Sequence, residues 1–480
     1  MKTDEIVSAM RSIVGETDVL TDPQDIAPHM IDWRKRHSGI AACVVFPRNV
    51  GHVSKVLAHC NAHRIKVFPQ GGNTSVCGGS VPDGVGGSIL MNLAKMNHIM
   101  EVNARNNSIT VEAGCILADI QAAAFDADRL FPLTLGAEGS CQIGGNISTN
   151  AGGTNVVRFG NARDLVLGLE VVLADGRIWN GLRTLRKNNS GYDLKNLFIG
   201  AEGTLGIVTA ASLKLYPRPC ARATAMLGFS DVQDAVSEGI KLQTQFTSEL
   251  VGLELISLSE FEISLRHAAK TRNPFEATPN WIVLVELAAT SGSSEALTDR
   301  MTEYLRESFE EGIVQDAVVA SSEQQRADLW KIRHSVTESN VKEGMGLTHD
   351  IAVPTYRIPD FIQQAGDALK AHYPEVLPVV VGHMGDGNLH YIAMFSHYNW
   401  SQVTDKRKTQ LELSHLLYDI AAGMGGTFSA EHGIGALHIP EMSKYKDPTE
   451  LALMQAIKNL LDPLDTMNPG RVVPLPHADA

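Results

Sequence analysis

No stretch of this 480-residue chain reaches the roughly 18 uninterrupted apolar residues that a membrane-spanning helix requires. Positive charge is also short: 41 Lys and Arg face 54 Asp and Glu, and the resulting net charge of -13 repels a phosphate backbone. The basic residues form no stripe that could follow a nucleic acid, so nucleic-acid binding is discounted. Cysteine is limited to Cys43, Cys60, Cys77, Cys115, Cys141 and Cys220, without a Cys-x-x-Cys pair to suggest a structural zinc or a redox dithiol. They read as free thiols in a reducing compartment. There is no GxGxxG turn with a trailing acidic residue and no GxxxxGK[ST], so Rossmann and P-loop readings lack their signatures. The first residues, MKTDEIVSAMRSIVGE, are too acidic and too evenly amphipathic for a secretory signal or a transit peptide, and the cytoplasm is the simplest location.

What is present is enough chain for two or more domains. Residues 40–217 are dense in Gly, Asn and Thr between short apolar runs such as CVVFP, SILMNL and LGLEVVLADGRIW, and Asp175-Gly176 signals a hairpin. From Ala223 strand-like and helix-like runs alternate, and Pro217 and Pro219 mark the junction. The fold class is α+β. The expected division is an N-terminal helical segment 1–37, a first domain 38–217, a second domain 218–465 and a C-terminal segment 466–480.

Three glycine-rich segments lie in the first domain: Pro69-Gln-Gly-Gly-Asn-Thr-Ser-Val-Cys-Gly-Gly79, Leu135-Gly-Ala-Glu-Gly-Ser-Cys-Gln-Ile-Gly-Gly-Asn-Ile-Ser-Thr-Asn-Ala-Gly-Gly153, and Gly200-Ala-Glu-Gly-Thr-Leu-Gly-Ile-Val208. Clustered glycines let successive backbone N–H groups turn inward as an anion nest, which suits a diphosphate, although such loops can equally be plain turns. In the second half, Val379-Val-Val-Gly-His383-Met-Gly-Asp-Gly-Asn-Leu-His390 reads as strand, turn and strand, with two imidazoles at facing strand ends. Gly425-Gly-Thr-Phe-Ser-Ala-Glu431-His432-Gly-Ile-Gly435 adds a carboxylate and another imidazole. Two His and one Glu with open positions suit a catalytic divalent metal, zinc or manganese; each histidine by itself could merely serve a turn. The polar helix near 322–343 places Arg333 and Thr337 one turn apart, and a guanidinium fork suits a carboxylate.

Together, PQGGNTS, IGGNISTNAGG and GAEGTLGIVT resemble the vanillyl-alcohol oxidase and p-cresol methylhydroxylase flavoprotein superfamily. GHMGDGNLH and SAEHGIG resemble the C-terminal domain of FAD-linked oxidases, which include D-lactate dehydrogenases, D-2-hydroxyglutarate dehydrogenases, the glycolate oxidase catalytic subunit and alkyldihydroxyacetonephosphate synthase. The match looks most like the D-2-hydroxyglutarate branch and spans nearly the whole chain. It implies a two-subdomain FAD-binding domain of the p-cresol methylhydroxylase type, followed by a cap domain with an antiparallel sheet.

The resemblance further implies non-covalent FAD with its pyrophosphate on Pro69, Gly71, Gly72, Asn73, Thr74 and Ser75, with Gly78 nearby. Isoalloxazine and ribityl contacts would come from Pro132, Gly136, Ala137, Ser140, Cys141, Gly144, Gly145, Asn146, Thr149, Asn150, Gly152 and Gly153. Glu202, Gly203, Gly206, Ile207 and Val208 complete that set, and Asn468 in the terminal LLDPLDTMNPGR returns to the flavin. By the same motif match His383, His390 and Glu431 are metal ligands, Asn388 a carboxylate contact and His432 the base, with Arg333 and Thr337 binding substrate. One departure stands out: the D-2-hydroxyglutarate enzymes carry a lysine two residues before the Asp of the following strand, where this chain has Thr348 ahead of His349 and Asp350.

The expected activity is oxidation of a D-2-hydroxy acid, D-2-hydroxyglutarate or D-lactate, to the 2-oxo acid by hydride transfer to flavin N5. An electron-transfer flavoprotein, a quinone or a cytochrome would reoxidise the enzyme, and a homodimer is an open expectation. Two other classes compete: a metal-dependent hydrolase using the His/Glu group, and a non-catalytic flavin-binding subunit.

Overall fold

In the structure, a computed structural model that describes residues 1–474, the spacing of Ile6, Met10 and Val14 is realised as the buried stripe of helix α1 (Thr3–Val14). The chain forms two units. The first comprises Met1–Gly152, Gly160–Arg218 and the chain from Glu431 onward; the second comprises Gly153–Phe159 and Pro219–Ala430.

The first unit holds two main sheets. One is mixed, in the order β1 (Val19–Leu20), β2 (Cys43–Val45), β4 (Ile89–Asn92), β3 (Val67–Gln70), with β2, β4 and β3 parallel. Parallel strands need a crossover, and α2 (Val50–His63) supplies it between β2 and β3. The other is antiparallel, in the order β5 (Ile99–Asn103), β6 (Ser108–Glu112), β10 (Ile207–Lys214), β8 (Val166–Val172), β9 (Ile178–Asn180). Asp175-Gly176 does turn β8 into β9, with Gly176 at φ +87°. A short pair, β7 (Arg129–Leu130) and β11 (Tyr216–Pro217), completes the unit's strands.

The second unit is built on one antiparallel sheet of seven strands in the order β15 (Asp316–Val319), β12 (Ala221–Phe229), β14 (Trp281–Ala289), β13 (Leu250–Ser257), β17 (Leu377–His383), β18 (Asn388–Phe395), β16 (Met345–Ala352). Ile256, Ile282, Val379, Val381, Ile392 and Met394 pack with Leu329, Trp330, Ile332 and Val336 from the helices Glu323–His334 and Val336–Glu343. Full burial of each such aliphatic side chain contributes roughly 1.5–3 kcal/mol before its entropy cost.

Arg218 ends a stretch of the first unit and Pro219 opens one of the second, and other parts of the chain fall differently from the expected division. Residues 1–37 are no separate segment, because Ile6, Met10 and Val14 share a core with Val53, Leu57, Cys43, Val67 and Ile89. Residues 431–465, expected in the second domain, belong to the first unit: Ile434 and Gly435 donate their N–H groups to Glu202, and Lys458 donates to the Thr204 carbonyl. Residues 153–159, expected in the first, belong to the second, where Arg158 donates to the Ala288 carbonyl at 2.8 Å. The end of the expected C-terminal segment, residues 475–480, lies outside the described residues.

Candidate active site

In the first unit the three glycine-rich segments converge. A Cβ on Gly72 would meet the Ser140 carbonyl oxygen at 2.0 Å, and one on Gly203 would meet Pro69 Cγ at 2.4 Å, so each loop is in contact with another only because these side chains are missing. Gly144 packs inward, where a Cβ would meet Ala113 at 2.7 Å, whereas Gly136 and Gly145 face open space. Gln70, Gly71, Gly72, Asn73 and Asn92 line a cavity of about 480 Å³ together with Pro28, His29, Ile31, Asp32, Trp33 and Lys35. Segment 28–35 carried no recognisable motif; its His29 Nδ1 lies 2.7 Å from Gln70 Oε1.

Several expected cofactor residues have side chains already engaged. Asn73, at φ +55°, donates to the Ile31 carbonyl and accepts from Ser80. Thr149 donates to the Gly145 carbonyl, Asn150 accepts from the Arg163 N–H, and Ile207 and Val208 are buried at the start of β10. Cys141 is buried, and burial pushes its thiol pKa up. Gly153 lies with the second unit. Asn468 donates to the carbonyls of Gly79 at 3.0 Å and Glu202 at 2.6 Å, so the chain end is stitched to the first and third glycine segments.

The Glu202 carboxylate holds the N–H groups of Ile434 at 2.7 Å and Gly435 at 2.9 Å, fixing the turn that follows Glu431 and His432. Burial raises its pKa to about 7, outweighing those two hydrogen bonds and the nearby Arg471 charge. Buried side-chain oxygens of Thr134, Gln142, Asn146 and Asn468 have no hydrogen-bond partner among the described residues. Buried acceptors cost free energy unless paired. Together with the open space at Gly136 and Gly145, they fit a bound dinucleotide with hydroxyl and N–H donors.

In the second unit, register places the polar groups. Residues directly opposite on paired strands project from the same face, as do residues two apart on one strand. Glu254 on β13 is opposite His383 on β17; His383 is opposite Asn388 on β18; His390, two residues further along β18, is opposite Asp350 on β16. All five side chains therefore share one face across four strands. The same face is apolar toward Ile256, Val381 and Ile392, so one end of it is core and the other is a polar site.

His383 and His390 have ring centroids 5.8 Å apart. Glu431 is joined by one peptide bond to Ala430, whose N–H is held by Asp350. One ligand atom from each of His383, His390 and Glu431 lies within 4.8 Å of the others. This donor set of two imidazoles and a carboxylate is that of a three-ligand catalytic metal site.

Both imidazoles have a carboxylate neighbour that sequence reasoning missed in that role. Glu254, fully buried, accepts from His383 Nδ1 at 2.7 Å and from Arg333 Nε at 2.7 Å. Burial would raise its pKa, but the facing His383 and Arg333 hold it down at about 2. Asp350 lies 3.8 Å from His390 Nδ1. Asn388 gives its amide hydrogens to Asp350 Oδ1 and the Ile351 carbonyl, both at 2.8 Å, leaving a buried Oδ1 without a partner among the described residues. What it has left to offer is an acceptor, which does not match a contact to a substrate carboxylate. The expected long helix is two helices, Glu323–His334 and Val336–Glu343, with Arg333 and Thr337 on either side of Ser335. Thr348 is exposed and two residues from Asp350 on the same strand face, whereas buried His349 faces away, between the Tyr391 carbonyl and Ser414.

Known proteins resemble the chain along nearly its whole length. A family of FAD-linked oxidase C-terminal domains matches residues 218–472, and an FAD-binding domain family matches 41–181. The mitochondrial D-2-hydroxyglutarate dehydrogenase of Arabidopsis thaliana is 35% identical over 470 residues, covering 98% of this chain and 81% of that one. That of Danio rerio is 36% identical, covering 98% and 86%. The D-2-hydroxyglutarate–pyruvate transhydrogenase of Saccharomyces cerevisiae is 31% identical, covering 98% and 94%. Among solved structures, p-cresol methylhydroxylase aligns with a TM-score of 0.75 at 16% identity over 98% of this chain and 96% of its own, and alkyldihydroxyacetonephosphate synthase with 0.73 at 14% over 98% and 85%. At those identities the two structures show the shared fold.

Proposed function

Because the chain belongs to the FAD-linked oxidase family and is an FAD-dependent oxidoreductase, we propose that it oxidises a D-2-hydroxy acid of the D-2-hydroxyglutarate or D-lactate class to the 2-oxo acid. The observation that carries this proposal is the polar sheet face, where a three-donor metal group stands beside the half-buried Arg333, whose Nη1 and Nη2 have no hydrogen-bond partner among the described residues.

His383, His390 and Glu431 would hold a divalent metal, zinc or manganese, which when bound withdraws electron density from substrate oxygens and eases loss of the hydroxyl proton. The glycine segments 69–79, 135–153 and 200–208 would hold FAD, which when bound accepts the α-hydrogen as hydride at N5. Arg333 grips the substrate carboxylate through its terminal nitrogens, since its Nε is committed to Glu254. Thr337 marks the side-chain end of the substrate. The Asn388 Oδ1 suits a donor or a cation rather than the carboxylate. His432 takes the hydroxyl proton on a ring nitrogen, and the turn that carries it is held from behind by Glu202. The balance is one alcohol to one ketone, one proton to His432 and one hydride to FAD.

Reoxidation falls to a separate acceptor, an electron-transfer flavoprotein, a quinone or a cytochrome. The test is an anaerobic single turnover: one 2-oxo acid should form per FAD reduced. Hydrolytic products with the flavin still oxidised would favour the metal-hydrolase alternative, and no reaction with any 2-hydroxy acid would favour a non-catalytic subunit.

A further inference from the structure

The buried carboxylate of Glu254 has no place among the metal ligands, yet it touches two groups to which the proposed function gives work. Its Oε1 lies 2.7 Å from His383 Nδ1, and its Oε2 accepts from Arg333 Nε at 2.7 Å. Glu254 is fully buried, and the Arg333 side chain is 13% exposed, so neither bond is a loose surface pairing. Glu254 stands opposite His383 in the β13–β17 ladder, so the backbone register itself delivers the carboxylate to the imidazole.

We propose that Glu254 is a positioning residue that ties metal binding to carboxylate recognition. The inference rests on the metal and substrate assignments given above. By accepting the Nδ1 hydrogen of neutral His383, the carboxylate selects the tautomer whose Nε2 carries the lone pair that a metal takes. A carboxylate behind a histidine ligand also orients the ring and raises its basicity, and loss of such a partner commonly costs 10- to 100-fold in metal affinity, an order-of-magnitude expectation. The other oxygen fixes Arg333 through Nε. A guanidinium is planar and rigid, so anchoring Nε sets the direction of the free edge offered to a substrate carboxylate. One side chain thereby sets the orientation of both grips.

The informative substitution is Glu254→Gln, which keeps the volume and one acceptor. If the Gln oxygen stays with Arg333, its NH2 group faces His383 Nδ1, which must then become an acceptor. The ring proton moves to Nε2, where it blocks the metal. The measurement is metal affinity of purified, FAD-containing protein by competition between zinc and a chelator, with FAD content and thermal midpoint recorded alongside, for wild type, Glu254→Gln and His383→Ala.

The expected result is a zinc Kd raised by roughly 10- to 100-fold in Glu254→Gln, with FAD content unchanged. His383→Ala should lose zinc more completely. A merely structural role for Glu254 would lower the thermal midpoint and leave the zinc Kd within about twofold of wild type; with His383→Ala losing zinc, that outcome overturns the inference and leaves the metal site standing. Full zinc retention by His383→Ala overturns the metal site and the inference with it. Should Glu254→Gln not fold, Glu254→Asp, which keeps a shortened carboxylate, is measured in its place, and a zinc Kd equal to wild type despite lost reach to His383 overturns the proposal.

Discussion

His383 and His390 stand on adjacent antiparallel strands, two register positions apart on one sheet face, with ring centroids 5.8 Å apart. That diagonal pairing, with Glu431 completing the donor group, predicts one divalent metal per chain. Chelation should abolish turnover while the flavin stays bound, and readdition of metal should restore it. Full activity in rigorously metal-free protein contradicts the assignment.

For His432 the expected effect is on chemistry rather than on binding. Removing a general base typically costs about 10²–10⁴-fold in rate. His432→Ala should slow anaerobic flavin reduction by a factor in that range and leave substrate Kd within a few-fold. Single-turnover reduction as fast as in wild type assigns the proton transfer to another residue.

Glu260 makes a prediction about stability. It is buried in the helix Leu258–His267, where desolvation lifts its pKa to about 7 against the hydrogen bonds from Asn340 and Ser264 and the charge of Arg333. In the unfolded chain the value is near 4.5, so between those limits the folded state binds more protons. The stability that Glu260 contributes is complete below about pH 4.5 and is lost as pH rises through about 7. Glu260→Gln should match wild type at the acid end and exceed it above pH 7, by on the order of 3 kcal/mol. Thermal midpoints measured from pH 5 to 8 that do not diverge with rising pH would refute this.

Substrate choice turns on Thr348. It occupies the site face of β16 without a charge, and His349 cannot substitute because its ring is held on the opposite face by the Tyr391 carbonyl and Ser414. A buried second carboxylate left without one of its cationic partners costs on the order of a few kcal/mol. The wild-type enzyme should therefore divide its preference, in kcat/KM, between D-2-hydroxyglutarate and smaller acids such as D-lactate, and Thr348→Lys should shift it toward the five-carbon diacid. If wild type already prefers the diacid by several orders of magnitude and Thr348→Lys adds nothing, another cation fills the role.

Much of this was legible in the sequence wherever local pattern and chemistry coincide. The hairpin at Asp175-Gly176, the alternation of strands and helices after Pro219 and the approach of His383 to His390 follow from short-range signals. Glu254 was not found, although it is the lone carboxylate in the apolar run Leu250-Val-Gly-Leu-Glu-Leu-Ile-Ser257. Its partners are 79 and 129 residues away; the β13–β17 pairing brings His383 to it, and the helix Glu323–His334, packed on the sheet, brings Arg333. The exchange of 153–159 and 431–465 between units was hidden for a similar reason, since long-range bonds such as Glu202 to Ile434 leave no local trace. Asn388 was assigned from a motif, and a motif cannot report that both amide hydrogens are already spent.

The most direct measurement is an anaerobic titration of the metal-loaded and the chelated enzyme with D- and L-2-hydroxyglutarate and D- and L-lactate, following the oxidised flavin absorbance. Bleaching by the D enantiomers alone, stoichiometric with 2-oxo acid and lost on chelation, is the expected result. Bleaching that is indifferent to enantiomer or to metal, or no bleaching by any of the four acids, would contradict metal-assisted oxidation of a D-2-hydroxy acid.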